Sequence, residues 1–297
     1  MPFRRTGILA HPRRPQSAPV AREMAALLRE RGLETWVREV WTEEDVRQEV
    51  KDSDLVVAIG GDGAMLHAAR VCAEPRVPVL GVNMGNLGFL TEIVNPGDWA
   101  QYLDRLLGGD FWIEERMMIR AQVLRDDAVL ASEDALNDVV VSSNRVTTTA
   151  RMDMYIDGDW ATTYTADALV IATATGATAY ALAAGGPILP PELFNILVVP
   201  VAPHLSMNRP IVLSQGSVVD VIPAAGDRSP SLLSVDGRIL RALEPDEQLR
   251  LQASARVSRF VRMRDRNYFY RSLLDRLEPR LDAPPPPALP RRGLAPR

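Results

Sequence analysis

The sequence predicts an α/β N-terminal domain with a parallel sheet, followed by a largely antiparallel all-β domain. Three observations carry that prediction. Over the first hundred residues, short apolar runs alternate with segments of helical periodicity, the pattern of parallel strands joined by covering helices. From about residue 111 that alternation stops, and short β-like runs separated by turn signals replace it. The chain of 297 residues, 46% hydrophobic and 24% charged, is also long enough and apolar enough for two cores.

In the first domain, expected over residues 1–100, "TGILAH" (6–11) reads as a strand and "APVAREMAALLRERG" (18–32) as an amphipathic helix ended by Gly32. "LETWVREV" (33–40) is a second strand, and "TEEDVRQEV" (42–50) a short helix with Thr42 as N-cap and an acidic first turn. "DLVVAIGGDGAMLHAAR" (54–70) reads as strand, glycine turn and helix. "VPVLGV" (77–82) is a fourth strand leading into "NMGNLGFL" (83–90).

The second domain is expected over 101–266. Its β-like runs are "MMIRAQVL", "LNDVVVSS", "ARMDMYIDG", "DALVIATA", "NILVVPVA", "PIVLS", "SVVDVIPA", "SLLSVDGRI", "EQLRLQAS" and "RFVRMR". Asp157–Gly158 and Asp236–Gly237 mark hairpin turns between runs. A helix over 267–278, built on "YFYRSLLDRL", follows. Residues 279–297 are rich in proline and arginine and form an extended tail with no core to pack.

Composition removes several function classes. The net charge is −4, and the body is more acidic still, because Arg280, Arg291, Arg292 and Arg297 stand against Asp282 near the C-terminus. Such a body does not suit general nucleic-acid binding, which relies on basic surface. Lys51 is the only lysine and does not follow the glycines, so the Walker and protein-kinase arrangements are not expected. No apolar run reaches bilayer-spanning length, and "GILA" after Arg4 and Arg5 is too short for a signal-peptide core, so no membrane partner is expected. A single cysteine, Cys72, excludes an intrachain disulfide and fits a cytoplasmic location.

Three constellations bear chemistry. Gly60, Gly61, Asp62 and Gly63 sit between strand and helix, where backbone N–H groups face a phosphate, yet a carboxylate stands among them. The turn reads either as a tight connection with Asp62 as N-cap, or as a substrate site where glycines allow close approach. "TATGATAYALAAGGPI" (173–188) reads either as a small-residue loop packed on the sheet, or as a nucleotide pocket edged by hydroxyls, with Tyr180 beside a base. Asn137 and Asp138, just ahead of a strand, form either a turn or a pair holding ribose hydroxyls, and Asp167 has the same two readings. His11, His67 and His204 lack metal-ligand spacing, so no metal is assigned to protein ligands.

"GGDG" (60–63), "GNLGFL" (85–90), "LND" (136–138) and "TATGATAYALAAGGPI" (173–188) resemble, in order and spacing, the motifs of the NAD kinases. The resemblance continues through "APH" (202–204), "SVDG" (234–237) and "NYFYRSLLDRL" (267–277), leaving only the tail uncovered. It implies an α/β domain, a β domain, and a C-terminal helix returning to the first. It also implies phosphoryl transfer from ATP or polyphosphate to the 2′-hydroxyl of the adenosine ribose of NAD, with Mg²⁺ or another divalent cation bound mainly through the donor. Homodimers or homotetramers are implied as well.

Carried over by motif, Asp62 is the catalytic residue, and Gly60, Gly61 and Gly63 form the phosphate-donor loop. Asp62, Gly63, Phe89, Asn137, Asp138, Asp167, Thr178, Ala179, Tyr180 and Ala183 bind NAD. Asp138 stands for the family's usual Glu, Ala174 for a Pro, and Ala177 and Ala183 for hydroxyl residues, which implies altered NAD affinity. The alternatives are a non-catalytic NAD(P)-binding regulator, and a GGDG-containing kinase of a sugar phosphate or lipid.

Overall fold

Four parallel strands open the chain in the computed structural model, which describes residues 2–85, 88–145, 148–224, 230–270 and 273. They are β1 (Arg5–Leu9), β2 (Glu34–Arg38), β3 (Leu55–Gly60) and β4 (Val79–Asn83), lying side by side in the order β2–β1–β3–β4. All six residues of β3 are buried, because both sheet faces are covered. Leu55, Val57 and Ile59 share one core with α1 (Ser17–Glu30) and α4 (Trp99–Gly108). Val56 and Ala58 share another with α2 (Glu43–Lys51) and α3 (Asp62–Ala73). Strand periodicity of two thus assigns alternate residues to the two helix layers.

Local chemistry sets the helix ends. Thr42 caps α2 in a reciprocal box: its hydroxyl accepts from the Asp45 N–H, and the Asp45 carboxylate accepts from the Thr42 N–H. Gly32, past the end of α1, has φ +83°, as the sequence reading requires. Helix α4 was not expected. It buries Trp99, Leu103 and Leu106 and stops at Gly109, whose φ is +78°.

The remaining strands are β5 (Trp112–Arg125), β6 (Ala128–Ala135), β7 (Asp138–Ser143), β8 (Ala150–Ile156), β9 (Asp159–Ala166) and β10 (Ala168–Thr173). After a short helix α5 (Tyr180–Ala183) come β11 (Asn195–Val201), β12 (Ile211–Ser214), β13 (Val219–Pro223), β14 (Ser231–Val235), β15 (Arg238–Leu243) and β16 (Gln248–Arg262). Among the described residues, β12–β11–β10–β7–β14–β15 form an antiparallel sheet. The other β strands extend the parallel sheet. β16 pairs antiparallel with β5 and β13, and at Phe260 it lies parallel to Val79 of β4.

Ile119, Met152 and Leu251 from this mixed sheet pack against Val141, Ile171 and Val198 from the antiparallel one. The expected hairpin turns are present: Asp157–Gly158 and Asp236–Gly237 have φ +54°, +91°, +47° and +74°.

β16 carries two of the expected runs, "EQLRLQAS" and "RFVRMR", as one strand with a register shift between Ala253 and Val257. Residues 1–264 form one compact unit, in which this strand spans both expected domains. Residues 265–297 group separately. Residues 268–270 and 273 are helical, while most of the helix expected over 267–278, its return to the first domain, and the tail lie outside the described residues. Among the described residues, no helix is long and apolar enough to cross a membrane.

Candidate active site

The chain leaves β1 toward β2 on one side and leaves β3 toward β4 on the other, so the direction of travel switches between β1 and β3. Ligands of parallel sheets bind outside the carboxyl ends of strands at such a point. Three loops meet there. A Cβ on Gly60 would lie 2.9 Å from Cδ2 of His11, which follows β1. Arg14 in the same loop donates to the Met84 carbonyl beyond β4 at 2.9 Å. Arg13 and Arg14 are exposed and lower the His11 pKa, after burial as the larger cause. Sequence reading did not single out this cationic loop, because a turn without fixed spacing gives no motif.

Asp62 is the first residue of α3, and its side chain does not cap the helix, for which Gly61 is the N-cap. Its carboxylate faces the other way. Oδ2 accepts from the Phe89 N–H at 2.8 Å, and Oδ1 from the Leu90 N–H at 2.9 Å. A side chain on Gly88 would overlap that carboxylate, so only glycine lets the loop close on it. Gly61 and Gly63 differ: a Cβ on either meets no described atom within 4 Å. Packing among the described residues does not require those two glycines. Asp62 and the backbone of Phe89 are therefore brought together, and the ring of Phe89 is half-buried.

The second group interlocks through its backbone. Thr173 N–H donates to the Asn137 carbonyl at 2.9 Å, and the Thr173 hydroxyl donates to the Leu136 carbonyl at 2.5 Å while accepting from Gly176 N–H at 3.1 Å. A side chain on Gly176 would overlap the Asn137 carbonyl. Thr178 donates its hydroxyl to the Thr175 carbonyl at 3.2 Å. Ala177 and Ala181 turn into an apolar cluster with Val170, Leu197 and Val199. Tyr180 and Ala183 lie one helical turn apart and are exposed, with Ala179 half-buried beside them. Ala177 thus faces the sheet, so a hydroxyl there would enter apolar surroundings.

Asp138 lies opposite Ala172 in the ladder and is buried. Burial, and secondarily the charge of Asp236, push its pKa up to about 7. Asp236 was read from the sequence only as part of a turn and a matching motif. In the structure its carboxylate is fully buried and accepts from the N–H groups of Leu136, Asn137 and Asp138 at 3.0, 2.7 and 3.2 Å. It also pairs with Arg70, two turns along the helix that Asp62 begins, at 3.2 Å. The ribose-pair candidates are therefore tied to the helix that carries the glycine turn.

Asp167 is the exception. It lies ahead of β10, whose far end pairs Ala172 with Asp138, so about five strand residues, roughly 17 Å, separate it from that cluster. It is exposed, and its N–H donates to the Val201 carbonyl. The structure therefore does not bring Asp167 to the ribose-pair candidates Asn137 and Asp138. Among the described residues, no group of three or more His, Cys, Asp or Glu is arranged to hold a metal ion.

The model of the ATP-NAD kinase N-terminal domain matches residues 6–111, and that of the C-terminal domain matches residues 136–263. The chain is 39% identical over 274 residues to the NAD kinase of Chloroflexus aurantiacus, covering 92% of this chain and 98% of that one. It is 34% identical over 277 residues to the NAD kinase of Dehalococcoides mccartyi, covering 93% and 96%. Its fold is similar to that of yeast NADH kinase complexed with NADH, with TM-score 0.82 and 23% identity over 95% of this chain and 89% of that chain. It is also similar to an NAD kinase from Archaeoglobus fulgidus in complex with ATP, with TM-score 0.72 and 22% identity over 91% and 97%. The chain belongs to the NAD kinase family.

Proposed function

We infer that this chain transfers a phosphoryl group from ATP, or polyphosphate, to the 2′-hydroxyl of the adenosine ribose of NAD, forming NADP. The observation that carries the reading is the glycine turn: Asp62 is anchored by two backbone N–H groups between glycines that no described packing requires. Open space at Gly61 and Gly63 suits a phosphate chain approaching the backbone.

In the reaction, a bond forms between the ribose 2′-oxygen and the terminal phosphorus of the donor. The bond from that phosphorus to the leaving phosphate breaks, and the hydroxyl proton passes to Asp62. Asn137 and Asp138 hold the ribose, while Thr178, Ala179 and Tyr180 flank the adenosine, with the Phe89 ring and Ala183 at the edges. Gly60, Gly61 and Gly63 present N–H groups to the donor, and Arg13 and Arg14 supply positive charge. Most of the acceleration comes from fixing donor and acceptor in line. Each Asp62 oxygen keeps a lone pair beyond its N–H bond, so Asp62 would help to hold Mg²⁺ or another divalent cation, which would supply neutralisation of phosphate charge.

Asp167, an acid that the resemblance puts near the adenine, stands apart from the ribose pair. The family resemblance further supports a homodimer or homotetramer, which sedimentation would measure, and a cytoplasmic location. The test of the reading crosses ATP and polyphosphate with NAD and NADH, with Mg²⁺ present, and reads product with an NADP-specific dehydrogenase. NADP or NADPH in at least one arm is expected. No product in any arm would overturn the reading in favour of a non-catalytic NAD(P)-binding regulator.

A further inference from the structure

Arg262, the last residue of β16, is fully buried and charged. Its Nε donates to Glu114 Oε2 at 2.8 Å, and its Nη1 donates to the Leu90 carbonyl at 2.9 Å. The same Nη1 lies 3.4 Å from Glu92. Leu90 is the residue whose N–H holds Oδ1 of Asp62. On the other side of Glu114, Arg116 donates through Nε at 3.0 Å, and its Nη1 reaches the Thr175 hydroxyl at 3.4 Å. Thr175 in turn accepts the Thr178 hydroxyl on its carbonyl. The Phe260 ring lies against both guanidinium groups, 5.2 Å from Arg262 and 5.4 Å from Arg116. A continuous chain of hydrogen bonds, buried from Leu90 to Thr175, therefore joins the loop around Asp62 to the segment bearing Thr178.

Stability does not account for such a network, because buried ion pairs are often replaced by apolar residues of similar volume without loss. Geometry does. A guanidinium has rigid, planar donor directions, so Arg262 holds the Leu90 carbonyl and Glu114 at one separation, and Arg116 does the same for Glu114 and Thr175. Burial alone would raise the Glu114 pKa, but the charges of Arg116 and Arg262 and their hydrogen bonds hold it down at about 2. The carboxylate that links the two arginines therefore stays ionised at neutral pH.

We propose that Arg262, acting through Glu114 and Arg116, is a positioning residue that fixes the Leu90 loop, and with it the Asp62 carboxylate, against the Thr175–Thr178 segment. The proposal rests on the reading of Asp62 as the group that takes the hydroxyl proton. Displacing a reacting group by about 1 Å costs in-line chemistry on the order of 100-fold.

The test is a kinetic double-mutant cycle. Arg262→Lys keeps a cation, but one ammonium does not reproduce the fork between Leu90 and Glu114. The variant should lose roughly 10- to 100-fold in kcat while KM for NAD and for ATP stays within about threefold. In an Asp62→Asn background, Arg262→Lys should cost less than about twofold more, because its effect is transmitted through Asp62. A residue that only supports packing would lose the same factor in both backgrounds. Equal losses, or an unchanged kcat in Arg262→Lys, would overturn the proposal. If Arg262→Lys does not fold, Glu114→Gln takes its place in the same cycle, with the same outcomes deciding. Wild-type protein that forms no NADP would overturn the functional reading and this role with it, whereas active wild type with equal losses sinks only the positioning role.

Discussion

Asp138 has an environment that the sequence did not disclose. Burial first, and the Asp236 charge second, hold its carboxyl near pH 7 instead of the ordinary 3.8. Between those two values the folded chain binds a proton that the unfolded chain has already released. This residue's contribution to stability is therefore fully present below about 3.8 and is lost as pH rises through about 7. Asp138→Asn carries no such proton, so its melting temperature relative to wild type should climb from pH 4 to 7.5 and then level. A flat difference would show that Asp138 titrates as an ordinary carboxylate. Ala183 supports a second prediction, because it is exposed on the face of Tyr180 and not packed on the sheet. Ala183→Ser should lower KM for NAD by at most about 1.5 kcal/mol in equivalent free energy, with the melting temperature unchanged. An unchanged KM would remove position 183 from the pocket. Residue identities at these positions were legible through their motifs. What decides their chemistry, Asp236 behind Asp138 and the exposure of Ala183, comes from partners far away in the chain.

Elements of the first half were legible because β1, β3 and β4 are buried on both faces and each helix on one, so apolar periodicity reports them directly, while the edge strand β2 keeps Trp36 and Val37 half-buried. α4 is a short helix whose Trp99, Leu103 and Leu106 follow helical spacing, but Pro96 and Gly97 just before it and Gly108 and Gly109 at its end read as loop. β6 and β9 were missed for a physical reason: both have several exposed positions, and the short apolar start of "AVLASEDA" is exposed at Val129 and Leu130 and gives way to two acids, so neither shows the apolar pattern of a core strand. The glycine turn was legible as a turn but not as a geometry, since Asp62 caps nothing and instead binds a loop 27 residues away. That distinction predicts opposite behaviour for two glycines. Gly63→Ala adds a methyl group in open space inside a helix and should leave the fold as stable, or up to about 1 kcal/mol more so. It should nevertheless raise KM for ATP by about tenfold or more, because the methyl group occupies the approach of the phosphates. Gly88→Ala should instead disturb the Asp62 loop and lower kcat. Thermal melts and steady-state kinetics on both variants check this, and an unaffected KM for ATP in Gly63→Ala would move the donor elsewhere.

At the scale of the molecule, one strand does what two domain boundaries in the sequence conceal. β16 pairs with β4 of the parallel region and with β5 and β13 of the antiparallel region, and its last residue, Arg262, is fully buried. Read in sequence, "RFVRMR" is only a short β-like run, because nothing nearby announces Glu92 or Glu114 as partners of its arginines. Sharing a sheet should make the described body unfold as one cooperative unit, seen as a single calorimetric transition with van't Hoff and calorimetric enthalpies equal. Two separated transitions would show that the halves fold independently. The same connectivity places Asp62, Arg70, Asp236 and the 136–138 segment in one unit with a fixed relation to one another. Single-turnover formation of NADP tests most directly whether this unit transfers the phosphoryl group to NAD through Asp62. With saturating ATP, Mg²⁺ and NAD, wild type should form NADP, and Asp62→Asn should bind NAD equally well but react roughly 10²–10⁴ times more slowly. Equal single-turnover rates for the two proteins would contradict the account.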